Sequence, residues 1–279
     1  MHCISPQNMM IDEIGRMDVP CGKCYQCLNQ KRNDWSFRLY QEQKVSQSAV
    51  FITLTYNDDE IPKMYDPETG EVFQTLKKED FQSFMKTLRK RQARKTKKWK
   101  IRYYAVGEYG TETQRPHYHA ILFNTHLDVL KTLDAIWKKG ITHIGECNPA
   151  SIRYITKYVI NKIGDHDVEK PFALMSRKPG LGENYLTKNK KYHRQTEKMH
   201  VINERGKYQK LPRFYQDKIW SKGEKATIKY DLSQKAEKKR WKEQDDYAKK
   251  GKNYFKAEIE HHEHNIKKVK KFLNKKNNI

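Results

Sequence analysis

His117-Tyr-His119 opens an apolar run, Ala120-Ile-Leu-Phe123, that reads as a β-strand. With the two-residue period of a strand, His117 and His119 share one face while Tyr118, Ala120 and Leu122 share the other. Nine residues before His117 stands Glu108, at the end of a second strand-like run over 101–107. The connector 109–116, with its Gly, Thr and Arg-Pro, predicts a fold-back. A hairpin would bring Glu108 within cross-strand or diagonal reach of both imidazoles. One carboxylate and two imidazoles around an open position suit a catalytic divalent metal. The plain alternative is a pair of surface histidines on a half-exposed strand.

The elements that must carry these residues can be read coarsely. A helix-like stretch over 28–47 includes Trp35, Leu39 and Val45 among its apolar positions, and a β-branched strand follows at 50–56. After a Pro/Asp/Gly loop, Phe81, Phe84, Met85 and Leu88 mark a helix over 77–94. The two hairpin strands come next, then a helix over 127–139 ended by Gly140, a strand over 141–147, and a helix over 149–163 opened by Pro149. The order βαββαβ plus a final helix is the ferredoxin-like, split βαβ arrangement of an α+β fold with an antiparallel sheet. In it the strand of His117 and His119 lies between the first and second strands. Residues 1–48 then read as a cysteine knuckle and leading helix, 49–165 as the core, 166–231 as a Gly/Pro-containing basic extension, and 232–279 as a charged helical tail.

The last core helix carries a second set of reactive groups. Ile152, Ile155, Val159 and Ile163 form a stripe that should face the sheet. At about 100° per residue, Tyr154 and Tyr158 project together away from the centre of that stripe, with Lys157 and Asn161 on the same outer side. Core aromatics would sit on the stripe, so these tyrosines are presented rather than buried.

Fifty-seven Lys and Arg against thirty-four Asp and Glu give a formal charge of +23 over 279 residues. That excess points to a polyanionic partner, and seventeen Tyr, ten Phe and five Trp supply stacking surfaces for unpaired bases. No apolar run approaches the ~20 residues of a membrane span, and the N-terminus has no signal-peptide core, so an intracellular protein is expected. Five cysteines in that compartment do not read as disulfides. Cys21, Cys24 and Cys27 form a CxxCxxC run, and with Cys3 they would complete a tetrahedral structural zinc site. Reduced thiols without metal are the alternative, and Cys147 receives no role. His261, His262 and His264 alternate with Glu260 and Glu263 and read as a solvated helix face.

Together these residues resemble the HUH endonucleases, which include rolling-circle replication initiators, relaxases and related transposases. His117-Tyr118-His119 matches the HUH box, Glu108 the accompanying acidic ligand, and Tyr154, Lys157 and Tyr158 the YxxKY nucleophile motif. Phe51-Ile-Thr-Leu-Thr55 looks like the first of the three motifs. The chain is more similar still to replication initiators of microvirus-type single-stranded DNA phages, especially the gokushovirus group. The cysteine knuckle, the segment 175–182 and Leu211-Pro-Arg-Phe-Tyr215 carry that likeness, which covers about residues 1–220.

The resemblance implies a nickase and strand transferase. Mg²⁺ or Mn²⁺ on His117, His119 and Glu108 would polarise the scissile phosphate, although the donor set would also accept Zn²⁺. A tyrosine would form a 5′-phosphotyrosine, and Lys157 would stabilise charge at the phosphate or orient a water. Expected partners are single-stranded and origin DNA with a host helicase and polymerase, in the cytoplasm of an infected bacterium. No GxxxxGK[ST] motif occurs, so unwinding falls to another protein. Two other classes fit fewer residues: a non-catalytic, zinc-stapled DNA-binding regulator, and a metal-dependent hydrolase of RNA or nucleotides.

Overall fold

The computed structural model describes residues 3, 5–11, 15–110, 112–157 and 169–274. In chain order its elements are β1 (Gln7–Ile11), β2 (Gly15–Val19), α1 (Tyr25–Gln43), β3 (Ala49–Thr55), β4 (Lys63–Tyr65), β5 (Val72–Gln74) and α2 (Lys78–Lys95). There follow β6 (Arg102–Tyr109), β7 (Pro116–Phe123), α3 (Leu127–Leu130), α4 (Leu133–Trp137), β8 (Thr142–Glu146) and α5 (Pro149–Lys157). The remainder is β9 (Phe172–Met175), α6 (Asn184–Thr196), β10 (His200–Ile202), β11 (Tyr208–Lys210), α7 (Arg213–Ile219), α8 (Lys222–Lys249) and α9 (Tyr254–Asn274).

The fold is mixed α/β around a central sheet of order β8-β3-β7-β6-β9, antiparallel throughout. β7 lies between β3 and β6, where the split βαβ order puts the strand of the two histidines. Alternation along the strands sorts their side chains to two faces. Ile52, Leu54, Ala105, Tyr118, Ala120 and Leu122 pack with Phe81, Phe84, Met85 and Leu88 of α2, and with Val129, Leu133 and Trp137 of α3 and α4. Tyr104, Val106, Ile121 and Phe123 face the other way, onto Leu39 of α1 and Ile152 and Ile155 of α5. Phe81 is fully buried, and truncation to alanine there would cost about 3–5 kcal/mol.

Three local features depart from the sequence reading. The helix expected over 127–139 is two short ones, α3 and α4, because Thr132 leaves helical geometry and its Oγ1 donates to the Val129 carbonyl at 2.9 Å. β9 adds a fifth strand on β6; its four residues, Phe-Ala-Leu-Met, are too few to show a period. The final helical stretch begins at Lys222 rather than near 232, opened by a Ser221/Glu224 capping box.

Two glycines are demanded by the fold. At Gly140 (φ +151°) a Cβ would stand 2.2 Å from the Thr55 carbonyl, so the chain can return to the sheet edge here only without a side chain. Gly182 (φ +73°) would collide with the Arg38 carbonyl at 2.5 Å. Gly182 N–H donates to Glu42 Oε2, and Tyr215 Oη–H donates to the Gly182 carbonyl. The segment 175–182 thus ends in a buried clamp on α1 rather than in a solvated connector.

The chain divides into two compact units, one of residues 1–9 and 18–219 and the other of residues 10–17 and 220–279. The second contains α8 and α9, where Arg240 pairs with Glu258 at 3.2 Å and the Tyr247 and Tyr254 rings meet at 5.5 Å. No helix among the described residues is long and apolar enough to cross a membrane.

Candidate active site

The β6–β7 register sets Glu108 directly opposite His117, with Val106 opposite His119. On the other side of β7, Thr53 lies opposite His119 and Thr55 opposite His117. Glu108, His117, His119 and Thr53 therefore share the sheet face that α1 and α5 cover. Glu108 Oε1 stands 3.0 Å from Nε2 of His117 and 3.0 Å from Nε2 of His119. The carboxylate is 4% exposed and His119 7%, which puts a titratable cluster in a nearly dry setting.

The far ring nitrogens are also engaged. His117 Nδ1 lies 3.0 Å from the Arg115 carbonyl, and a carbonyl can only accept, so Nδ1 carries the proton. His117 Nε2 is thereby left aimed at an anionic oxygen, an approach that needs a proton or a cation between them. His119 Nδ1 lies 2.9 Å from Thr53 Oγ1. Hydrogen bonding at Nδ1 leaves Nε2 as the ligand atom, the usual device of metal-binding imidazoles.

The electrostatics follow from crowding. Burial pushes the Glu108 pKa up, but hydrogen bonds from His117 and His119 outweigh it and hold the carboxyl below its ordinary value. Burial also works against a charged His117, yet Glu108 and the Arg115 carbonyl raise its pKa on balance. His119 goes the other way: burial dominates, with repulsion from His117 added, and its pKa falls despite Glu108. Both rings touch one oxygen, and the difference lies in the backbone carbonyl that only His117 has.

Three features of this cluster fit a divalent cation. The ligand atoms of Glu108, His117 and His119 all lie within 4.8 Å of one another. Glu108 Oε2 is buried without a hydrogen-bond partner, which is costly for a carboxylate oxygen unless a positive group faces it. The donors are two imidazoles and one carboxylate, a set that leaves coordination positions open.

Tyr154 completes the constellation. Its hydroxyl is 3.4 Å from His119 Nε2, and its ring packs edge-on to His119 at 5.2 Å and to Phe51 at 6.0 Å. It is 38% exposed, so it borders the cluster while remaining accessible. The helix that carries it is fixed from behind: Ile152 and Ile155 are buried, Ser36 and Thr156 hydrogen-bond at 2.9 Å, and Arg32 donates to the Arg153 carbonyl at 3.3 Å. At the start of α5, Asn148 Oδ1 accepts from the backbone N–H groups of Ala150 and Ser151. Lys157 is the last residue of α5, one turn beyond Tyr154. Tyr158 and the 158–163 part of the expected helix lie outside the described residues.

Sequence reasoning named Phe51 and Thr53 only as part of a motif, without a role. The signal was there: Thr53 falls on the period-2 face of β3 and, once the pairing is known, opposite His119.

A second metal-competent group stands apart. The sulfur atoms of Cys3, Cys21, Cys24 and Cys27 lie within 4.8 Å of one another. Cys3 Sγ is 3.7 Å from Cys24 Sγ, and Cys21 Sγ is 4.0 Å from Cys27 Sγ. Four thiolates at the usual zinc–sulfur distance of about 2.3 Å define a tetrahedron with edges of about 3.8 Å, so the separations suit one ion. Backbone N–H groups of Cys21 and Cys24 point at Cys3 Sγ and Cys21 Sγ, as expected where negative charge collects on sulfur. Cys147 is buried in the core behind α1.

Residues 49–163, which include β3, Glu108, both histidines and Tyr154, match the model of the family described as replication-associated protein ORF2. Replication-associated protein ORF2 of Spiroplasma virus 4 is 30% identical over 223 residues, 71% of this chain and 66% of that one. The chain belongs to the replication-associated protein ORF2 family. Similar at greater length is replication-associated protein VP4 of Bdellovibrio phage phiMH2K, 26% identical over 86% of this chain and 84% of that one. Replication-associated protein ORF4 of Chlamydia phage 1 is 27% identical over 71% of this chain and 53% of its own length. The family match thus spans the sheet, its paired histidines and the described part of the tyrosine helix. The cysteine group lies N-terminal to that span.

Proposed function

We propose that this member of the ORF2 replication family is a replication initiator of the HUH endonuclease class on a ferredoxin-like core, nicking single-stranded DNA at an origin and rejoining it in rolling-circle replication of a small circular phage genome. The observation that carries the reading is the Tyr154 hydroxyl at 3.4 Å from His119 Nε2, beside the Glu108–His117–His119 cluster. A protein nucleophile retains the energy of the broken phosphodiester, which water would discard. A phenol has a pKa near 10 and is a weak nucleophile at neutral pH, so it needs a cationic environment.

Glu108, His117 and His119 would hold a divalent cation, Mg²⁺ or Mn²⁺, whose chemistry is to polarise the scissile phosphate. Tyr154 Oη attacks phosphorus, the bond to the 3′ oxygen breaks, and that oxygen leaves as a 3′-OH with a proton. The product is a 5′-phosphotyrosine. Attack by a returning 3′-OH reverses the step and joins the strand. Thr53 and the Arg115 carbonyl orient the imidazoles, while α1 and Ile152 and Ile155 hold the helix. Lys157, one turn from Tyr154, supplies positive charge near the phosphate or orients a water. Tyr158 is proposed as the second nucleophile, and Cys3, Cys21, Cys24 and Cys27 as ligands of a structural Zn²⁺. Host helicase and polymerase would act with the protein in the bacterial cytoplasm.

Denaturing gel analysis of the chain with Mn²⁺ and an end-labelled single strand from its own replicon tests this. Label carried covalently on protein is expected. Cleavage without attachment would indicate a hydrolase using water, and binding without cleavage a DNA-binding regulator.

A further inference from the structure

Away from the tyrosine helix, α1 presents a different face to α6 and to the β10–β11 hairpin. Phe37 meets Tyr185 edge-on at 5.2 Å, and Asn184 Nδ2 donates to the Gln41 carbonyl at 3.0 Å. Between these elements opens a cleft of about 780 Å³, within the range typical of ligand sites. Its lining has a one-sided chemistry. Lys44, Lys188 and Lys198 contribute to it, and among the described residues no aspartate or glutamate does.

The rim is aromatic. Tyr192 is 46% exposed and Tyr208 74%, on a protein whose other tyrosines include several with no exposure at all. Each sits beside a cationic or imidazole partner: Lys198 Nζ is 5.4 Å from the Tyr192 ring centre, and His200 is 5.2 Å from the Tyr208 ring. Amide groups line the floor, where Asn184 Oδ1 is a buried acceptor with no hydrogen-bond partner.

We infer that this cleft is a second nucleic-acid site, which takes unpaired nucleotides of a single strand by stacking bases on Tyr192 and Tyr208 while Lys44, Lys188 and Lys198 meet the phosphates. Charge argues for the polyanion: a chain of net +23 gathers lysines here with no acidic lining residue to offset them. Accessible aromatic faces argue for a single strand, because a duplex keeps its base faces stacked against each other. The buried Asn184 acceptor matches the amino groups on base edges, which a peptide backbone or a bare phosphate would not present in that position. The same helix that backs α5 through Ser36 and Arg32 lines this cleft through Phe37 and Gln41, so α1 joins the two sites.

Fluorescence anisotropy on the full chain tests the assignment, with labelled oligo(dT) of about 20 nucleotides and a duplex of equal length. Changing Tyr192 and Tyr208 together to alanine should weaken oligo(dT) binding by roughly tenfold or more, with duplex affinity held within about twofold and an unchanged salt slope. Lys188→Ala with Lys198→Ala should instead flatten the salt dependence, by about 0.7 in log–log slope for each phosphate no longer neutralised. Photocrosslinking of wild-type protein to oligonucleotides bearing 5-iododeoxyuridine should label peptides containing Tyr192 or Tyr208, and it needs no variant to fold. Wild-type oligo(dT) affinity in the tyrosine double variant, equal losses for single strand and duplex, or crosslinks confined to other peptides would overturn it. None of these readouts requires cleavage, so failure of the nicking reading would leave this one standing.

Discussion

Thr53 Oγ1 lies 2.9 Å from His119 Nδ1, across the β3–β7 ladder that makes the two residues direct neighbours. The hydroxyl fixes the ring's rotation and, when Nε2 serves as a ligand atom, accepts the Nδ1 proton. His117 obtains the same service from a main-chain carbonyl, which no substitution removes.

Thr53→Val should therefore lower affinity for Mn²⁺ by about tenfold, the low end of what losing such an outer partner costs. Calorimetric titration measures it, with thermal unfolding as the control for folding. An unchanged affinity would show that packing against Phe51 alone orients His119.

Tyr154→Phe removes the hydroxyl that reaches His119 from α5, and should abolish most initial nicking while leaving oligonucleotide binding within about twofold, since binding rests on many distributed cations. Tyr158→Phe is expected to nick once but fail to sustain repeated rounds. With one tyrosine tied to a 5′ end, only a second nucleophile can cut again without releasing it. Peptide mapping of the covalent adduct decides the assignment: label confined to Tyr158 reverses the roles.

The cysteine group should bring one zinc per chain through purification. Cys24→Ser should lose it, together with local folding energy on the order of 10 kcal/mol, whereas Cys147→Ala should retain it. Elemental analysis reads both. Full activity in a zinc-free wild-type sample would remove the structural role.

His193 gives the first unit a pH-dependent stability. Its Nδ1–H donates to the Lys198 carbonyl at 2.7 Å, and Tyr185 Oη–H donates to Nε2 at 2.8 Å, so the buried ring is held neutral. Burial is the main cause of its depressed pKa, with repulsion from His200 adding to it. A base with a depressed folded pKa stabilises fully above its unfolded value near 6.5. That contribution is lost as pH falls from there through the folded value, by about 1.4 kcal/mol per unit separating the two. Urea midpoints measured between pH 8 and 5 should decline, and His193→Gln should flatten that part of the profile.

The sequence by itself determined whatever has a short period or a count. Alternation put His117 and His119 on one strand face, 3.6-residue spacing set Tyr154 off the Ile152–Ile155 stripe, and composition announced a polyanionic partner. Such features are written within a few residues of one another, so a linear reading recovers them. The tertiary structure alone decided that β3 lies beside β7, which turns Thr53 and Phe51 into neighbours of His119. It also decided that Cys3 meets the CxxCxxC run, and that Lys44, Tyr192 and Tyr208 border one cleft. Those relations join residues far apart in the chain through packing of the sheet and α1, and long-range packing leaves no period to read. Even the break between α3 and α4 belongs here, because a local hydroxyl bond at Thr132 overrode an apolar pattern that read as one helix.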